Sequence, residues 1–150
     1  MKVVLTTVDE ASVSILNKTV GKISKGYLLL VGFTSGDNEE LVSKMVDKIL
    51  NLRVFPDSNG KINLSLSDVN GSILSISQFT LYASSKGSRR PSFIDALNPA
   101  EAEKLYDYFN KLIEERYGHL STGVFGADMK VTSINDGPFT LILDSKELYQ

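Results

Sequence analysis

The chain has 150 residues, a net charge of −2, one histidine and neither cysteine nor tryptophan. Those counts exclude a disulfide framework, a thiolate nucleophile, Cys-ligated zinc or iron–sulfur clusters and a His-cluster metal site. They also exclude a nucleic-acid grip along the whole molecule, which needs a large positive excess, so any such contact has to be local.

Taken in order, Lys2 to Val8 is a strand rich in Val, Leu and Thr, and Ser12 to Leu16 alternates ahead of a turn at Asn17-Lys18. Tyr27 to Phe33 is almost continuously apolar, which predicts a strand buried on both faces. Asp37 opens a helix, with Glu40 as its capping-box partner and Val42, Met45, Val46, Ile49 and Arg53 at helical spacing. Arg53-Val54-Phe55 predicts a short strand ended by Pro56. Asn59-Gly60 predicts a tight turn, and Ile62, Leu64 and Leu66 then alternate with polar residues. Ser72 to Tyr82 is the longest β-like run, followed by a polar, basic loop over 83–92. Asn98-Pro99-Ala100-Glu101 is a helix start. Ala102, Leu105, Tyr106, Phe109, Leu112 and Ile113 form the apolar stripe, and Gly118 is the stop. Three further strands are predicted at Gly123–Phe125, Met129–Ile134 and Phe139–Asp144.

This order is not a βαβ alternation. It predicts a single α+β domain over 1–150, with a mostly antiparallel or mixed, barrel-like sheet and two main covering helices. No window approaches the roughly 20 apolar residues of a membrane span. The amino-terminal MKVVLTTVDEAS is a poor signal peptide, so the expected address is the cytoplasm, with no membrane partner.

Four features stand out as candidates for chemistry. Ser77 and Gln78 are adjacent polar residues in an apolar run. Either they are the solvated end of a strand, or one is turned inward and needs a partner or ligand. Asn135-Asp136-Gly137-Pro138 is an ordinary turn, or a bend in which an X-Pro bond redirects successive carbonyls. Lys86, Arg89 and Arg90 form either a solvated loop or a seat for a few phosphates. Phe125 and Met129 are either core or a base-stacking pocket. His119 has no acid partner at recognisable spacing.

Together, Ser77-Gln78-Phe79-Thr80-Leu81 and Asn135-Asp136-Gly137-Pro138 resemble the two signature motifs of the D-aminoacyl-tRNA deacylases. The stretches at 11–13, 59–65, 90–93, 105–109 and 122–129 are similar in order and spacing. The resemblance implies that family's fold and a homodimeric, cofactor-free and metal-free ester hydrolase. Its substrates would be D-aminoacyl-tRNA and glycine mischarged on tRNA for alanine, and its partner the tRNA acceptor end rather than DNA. It further implies a cis Gly137–Pro138 bond reaching into the other subunit's pocket, there facing Ser77, Gln78, Phe79 and Thr80. By the same resemblance Asn135, Gly137 and Pro138 meet the substrate, Phe125 and Met129 hold the terminal adenine, and Ala102 is a small residue beside the pocket.

An oxyanion then needs main-chain N–H groups of Gln78 to Thr80, helped by the RNA 2′-hydroxyl. Two rival readings accompany this one: Thr80 as a covalent nucleophile, and an RNA-binding module without activity. The chain departs from many relatives in one place. It has Thr6-Thr7-Val8 where they carry an arginine that fixes the Gly-Pro loop. That loop is therefore either held by other groups or freer.

Overall fold

The longest strands carry the architecture. A computed structural model describes residues 1–150. Lys2–Ile15 forms one strand, β1, rather than two. It is followed by β2 (Lys18–Ile23) and β3 (Gly26–Gly32). Along one edge β1 pairs with β3 over Lys2–Val8 and then with β2 over Ala11–Ile15. Its other edge is taken along both halves by β8 (Lys130–Asp144). These pairings are antiparallel, whereas β3 pairs parallel with β6 (Ser72–Ser77), and β6 pairs parallel with β7 (Leu120–Thr122). The sheet is therefore mixed. It also curls, because Ser121 Oγ of β7 donates to Lys22 O of β2 at 3.2 Å, tying together the two ends of the order β2-β1-β3-β6-β7. A separate hairpin joins β4 (Arg53–Pro56) to β5 (Ile62–Ser65).

The curl explains why Tyr27 to Val31 is apolar without alternation. Tyr27, Leu29 and Val31 face the main core with the helices, while Leu28 joins Val8, Val13, Leu74 and Ile76 in a smaller cluster on the opposite face. Successive strand residues point opposite ways, so a sheet covered on both faces needs apolar residues at every position.

Two helices cover the main core. In α1 (Glu39–Asn51) the buried Val42, Met45, Val46 and Ile49 are the predicted stripe. Its cap, however, is Asn38, whose Oδ1 accepts from Leu41 N–H at 2.9 Å. Asp37 instead accepts from the Met1 amine at 2.7 Å and from Thr34 N–H at 2.8 Å. Arg53 lies beyond the helix and its Nε donates to Asn63 O at 2.7 Å. In α2 (Pro99–Arg116), Asn98 Oδ1 accepts from Glu101 N–H at 3.1 Å, and Gly118 ends the helix with its N–H on Ile113 O. A last short helix, α3 (Ser145–Tyr149), was not predicted. It starts where Asp144 Oδ1 accepts from Lys146 N–H at 2.9 Å. No helix is long and apolar enough to cross a membrane.

The tail differs from expectation in one more way. The strand predicted at Gly123–Phe125 is Leu120–Thr122, because these residues run beside β6 directly after the helix stop, and Val124–Ala127 then turns back on itself.

Candidate active site

The run predicted to be strand through Tyr82 stops at Ser77. Ser77 is the last residue paired with β3, and Gln78 N–H donates to Val31 O at 2.7 Å. The chain then tightens into a 3-10 turn over Phe79–Tyr82, whose first bond runs from Leu81 N–H to Gln78 O at 3.3 Å. Gly32, at the end of β3, makes room for it. A Cβ there would lie 2.7 Å from Gln78 O and 3.1 Å from Leu81 Cβ. Gln78 N–H is thus committed and drops out of the expected donor set. The N–H groups of Phe79 and Thr80 open the turn and have no acceptor within it.

Ser77, Gln78 and Phe79 form one wall of a cavity of about 570 Å³. Ala102, Phe125 and Met129 line it as well, so the structure brings these six predicted residues together. Phe125 is held by a tilted contact with Tyr106, ring centroids 6.0 Å apart, and the Tyr106 hydroxyl donates to Ser75 O at 2.8 Å. Burial pushes that phenol above its ordinary range, which keeps it a donor. No ionisable side chain lines the cavity. His119 lies elsewhere, exposed and edge-on to Tyr117.

Thr80 stands outside the lining and is exposed. Its Oγ1 is bonded to the Gln78 side-chain amide, a group that cannot take a proton from it. Lys86, Arg89 and Arg90 are exposed on the loop beyond the turn.

Asn135, Gly137 and Pro138 are not at this cavity. In β8, Thr140 pairs with Thr6 and Asn135 with Val8, so four residues, Asp136 to Phe139, stand opposite Thr7 alone. They bulge from the ladder and, with Thr7 and Phe55, border a separate hollow of about 180 Å³. Thr7 Oγ1 donates to Asp136 O at 2.8 Å, Thr6 Oγ1 lies 3.4 Å from Thr140 Oγ1, and Ser133 Oγ donates to Asn135 Oδ1 at 2.9 Å. The bulge is therefore held at its base by threonines. The Gly137–Pro138 peptide is cis, and Gly137 has a φ of +124°. Both residues are exposed.

Sequence reasoning did not find Phe93, which lines the cavity, or Gly32, which shapes it. Phe93 had a signal, being a lone aromatic directly after a basic loop. Gly32 had none, because its role depends on a neighbour 46 positions away.

Residues 4–144 match the family model described as D-Tyr-tRNA(Tyr) deacylase. Two curated proteins named D-aminoacyl-tRNA deacylase, from Lactobacillus acidophilus and Lactobacillus helveticus, are each 54% identical to this chain over 144 residues. That spans 96% of this chain and 99% of theirs. A solved structure described as c-Myc DNA Unwinding Element Binding Protein superposes with a TM-score of 0.90 at 37% identity, covering 96% of this chain and 98% of its own. Another, described as a probable eukaryotic D-amino acid tRNA deacylase, has a TM-score of 0.82 at 20% identity over 95% and 97% of the two chains, and shares the fold.

Proposed function

The chain belongs to the D-Tyr-tRNA(Tyr) deacylase family, and from that premise we propose that it hydrolyses the ester of D-aminoacyl-tRNA, releasing the free D-amino acid and tRNA. The unit acting is the single domain of 1–150, working in the cytoplasm as one half of a homodimer. Glycine mischarged on tRNA for alanine is a second substrate.

The observation that carries the two-copy reading is a separation. Within one chain, Gly137 and Pro138 border one hollow while Ser77, Gln78 and Phe79 line another. An exposed bulge on β8 can complete such a cavity only in a second copy. β8 pairs with β1 and with no other strand, and it exposes Ile134 and Ile142. An edge of that kind invites a partner, and a twofold pairing would deliver two bulges to two cavities at once.

The chemistry follows from what lines the cavity. With no ionisable side chain there, catalysis falls to positioning and main-chain dipoles. The Phe79 and Thr80 N–H groups face the developing oxyanion, and the RNA 2′-hydroxyl orients the attacking water. Phe125 and Met129 enclose the terminal adenine, with Ala102 leaving space beside it. The Gly137 and Pro138 carbonyls accept from the substrate ammonium. Their main chain is a wall that an L side chain would strike and that a D side chain, or glycine, avoids.

The test is release of D-tyrosine from D-Tyr-tRNA, with L-Tyr-tRNA in parallel. Fast D release with L retained supports the reading. Equal hydrolysis of both, or of neither, overturns it.

A further inference from the structure

An acceptor end whose last adenosine sits in the cavity has to leave across the rim, and the loop that leads into Phe93 on that rim has an unusual make-up. Ser84 and Ser92 exchange two main-chain hydrogen bonds of 2.8 Å each, closing a loop over residues 85–91. Within it Ser84 Oγ accepts from Lys86 N–H at 3.3 Å and Ser88 Oγ from Arg90 N–H at 3.1 Å. The loop is thus folded on its own turns, and its cations are left for something else. Lys86, Arg89 and Arg90 are exposed and none is in an ion pair. No acidic residue occurs between Asp68 and Asp95.

At the loop's exit stands Phe93, 43% exposed, edge-on to Phe79 with ring centroids 5.2 Å apart. Phe79 is itself 54% exposed, and Ile94, the next residue, is 87% exposed. Single apolar residues on a surface need no explanation, but touching aromatic rings on a cavity rim, directly after a loop of unpaired cations in the chain, do. Single-stranded RNA satisfies both features at once, because each nucleotide brings a flat base to stack and a phosphate to pair. A neutral or basic protein surface would cover the rings and leave the cations desolvated and unpaired.

We infer that Phe93 is a stacking platform for the nucleotide that precedes the terminal adenosine, with Arg89 and Arg90 holding the adjoining phosphates. This rests on the deacylase reading and extends it to the RNA outside the cavity. Phe93 is here a binding and positioning residue, not a catalytic one.

The experiment compares two substrates, D-Tyr-tRNA and D-tyrosyl-adenosine, the second of which lacks the preceding nucleotide. Phe93→Leu keeps apolar bulk and removes the flat ring face. It should raise KM for D-Tyr-tRNA on the order of tenfold beyond any change seen with D-tyrosyl-adenosine, which reads out the part of Phe93 that lines the cavity. Phe93→Trp should restore the wild-type KM. The Arg89→Gln, Arg90→Gln double variant should flatten the salt dependence of tRNA binding by about one unit of log–log slope per arginine. Equal losses on both substrates would confine Phe93 to its place in the cavity wall, with no role toward the preceding nucleotide, and overturn the inference. So would an unchanged KM for tRNA, or a change of oligomeric state in Phe93→Leu on a sizing column. Binding of uncharged tRNA, followed by fluorescence, separates the two levels. Weaker binding by Phe93→Leu in a protein that deacylates nothing would refute the enzyme and retain the platform.

Discussion

The Thr7 hydroxyl donates to the main-chain oxygen of Asp136 across 2.8 Å, at the foot of the four-residue bulge that breaks the β1–β8 ladder. Thr7 is 4% exposed, so packing holds its rotamer and aims the hydroxyl at one carbonyl. A short neutral side chain thus anchors the bulge. It reaches because the bulge returns to the ladder directly beside it.

Replacing Thr7 by Val keeps the shape and removes the donor. We expect a stability loss of about 1 kcal/mol, since a partly buried carbonyl loses one hydrogen bond. The larger effect should be on the ratio of D-Tyr-tRNA to L-Tyr-tRNA hydrolysis, falling on the order of tenfold as the bulge loses its anchor. Thr7→Ser, which retains the hydroxyl, should keep the wild-type ratio. A Val variant with full selectivity would show the bond to be dispensable.

Gly137 has a φ of +124°, and a Cβ there would lie 2.9 Å from Phe139 N and 3.3 Å from Phe139 Cβ. Gly137→Ala should therefore strain the tip of the bulge, at a cost of about 1–3 kcal/mol. The site is exposed, so the fold should tolerate the change. Activity should drop further than stability, with kcat/KM reduced at least about tenfold if the tip meets the substrate. Denaturant melts and deacylation measured on the same preparation check the order of the two effects. A variant that unfolds, or one with wild-type turnover and selectivity, contradicts the placement.

Gly32 tests the other half of the site from behind. Gly32→Ala would drive a methyl to 2.7 Å from Gln78 O and displace the 3-10 turn that presents the Phe79 and Thr80 N–H groups. On the proposed mechanism, in which these N–H groups face the oxyanion, shifting them by a few tenths of an ångström should lower kcat on the order of 10²-fold, with KM for tRNA changing much less. A KM-only effect would mean that the turn binds RNA and does not act on the ester.

Thr80→Val should keep turnover within about tenfold, because its hydroxyl is bonded to the Gln78 amide and has no base to activate it. No covalent D-tyrosyl-enzyme should accumulate in rapid-mixing experiments with the wild-type protein. His119→Gln, remote from the cavity, should leave kcat/KM within about twofold. Loss of all turnover in Thr80→Val would restore the nucleophile mechanism.

The helices were legible because their signals are local. The Asn98-Pro99 start of α2, its apolar stripe and the Gly118 stop lie within a few positions of one another, and each has a short-range physical cause. The Asn38 cap escaped because Asp37 is an equally good cap in isolation, and only the folded chain gives Asp37 another task, binding the Met1 amine. The strand over 72–82 was overextended for a related reason. Its residues favour β structure to the end, but a ladder stops where its neighbour stops, and β3 ends at Gly32.

From its residues alone this chain had already ruled out thiol, zinc-cluster and histidine-cluster chemistry, and the apolar run at 27–33 already required a sheet covered on both faces. Composition and periodicity are properties of the chain itself, and folding cannot change them. What the tertiary structure decided was adjacency. It set Thr7 against Asp136, gave Gln78 N–H to Val31, and kept the Gly137-Pro138 bulge away from the Ser77–Phe79 wall of its own chain. Each of these depends on register between strands far apart in sequence, which is fixed only when long-range pairing and core packing are satisfied together.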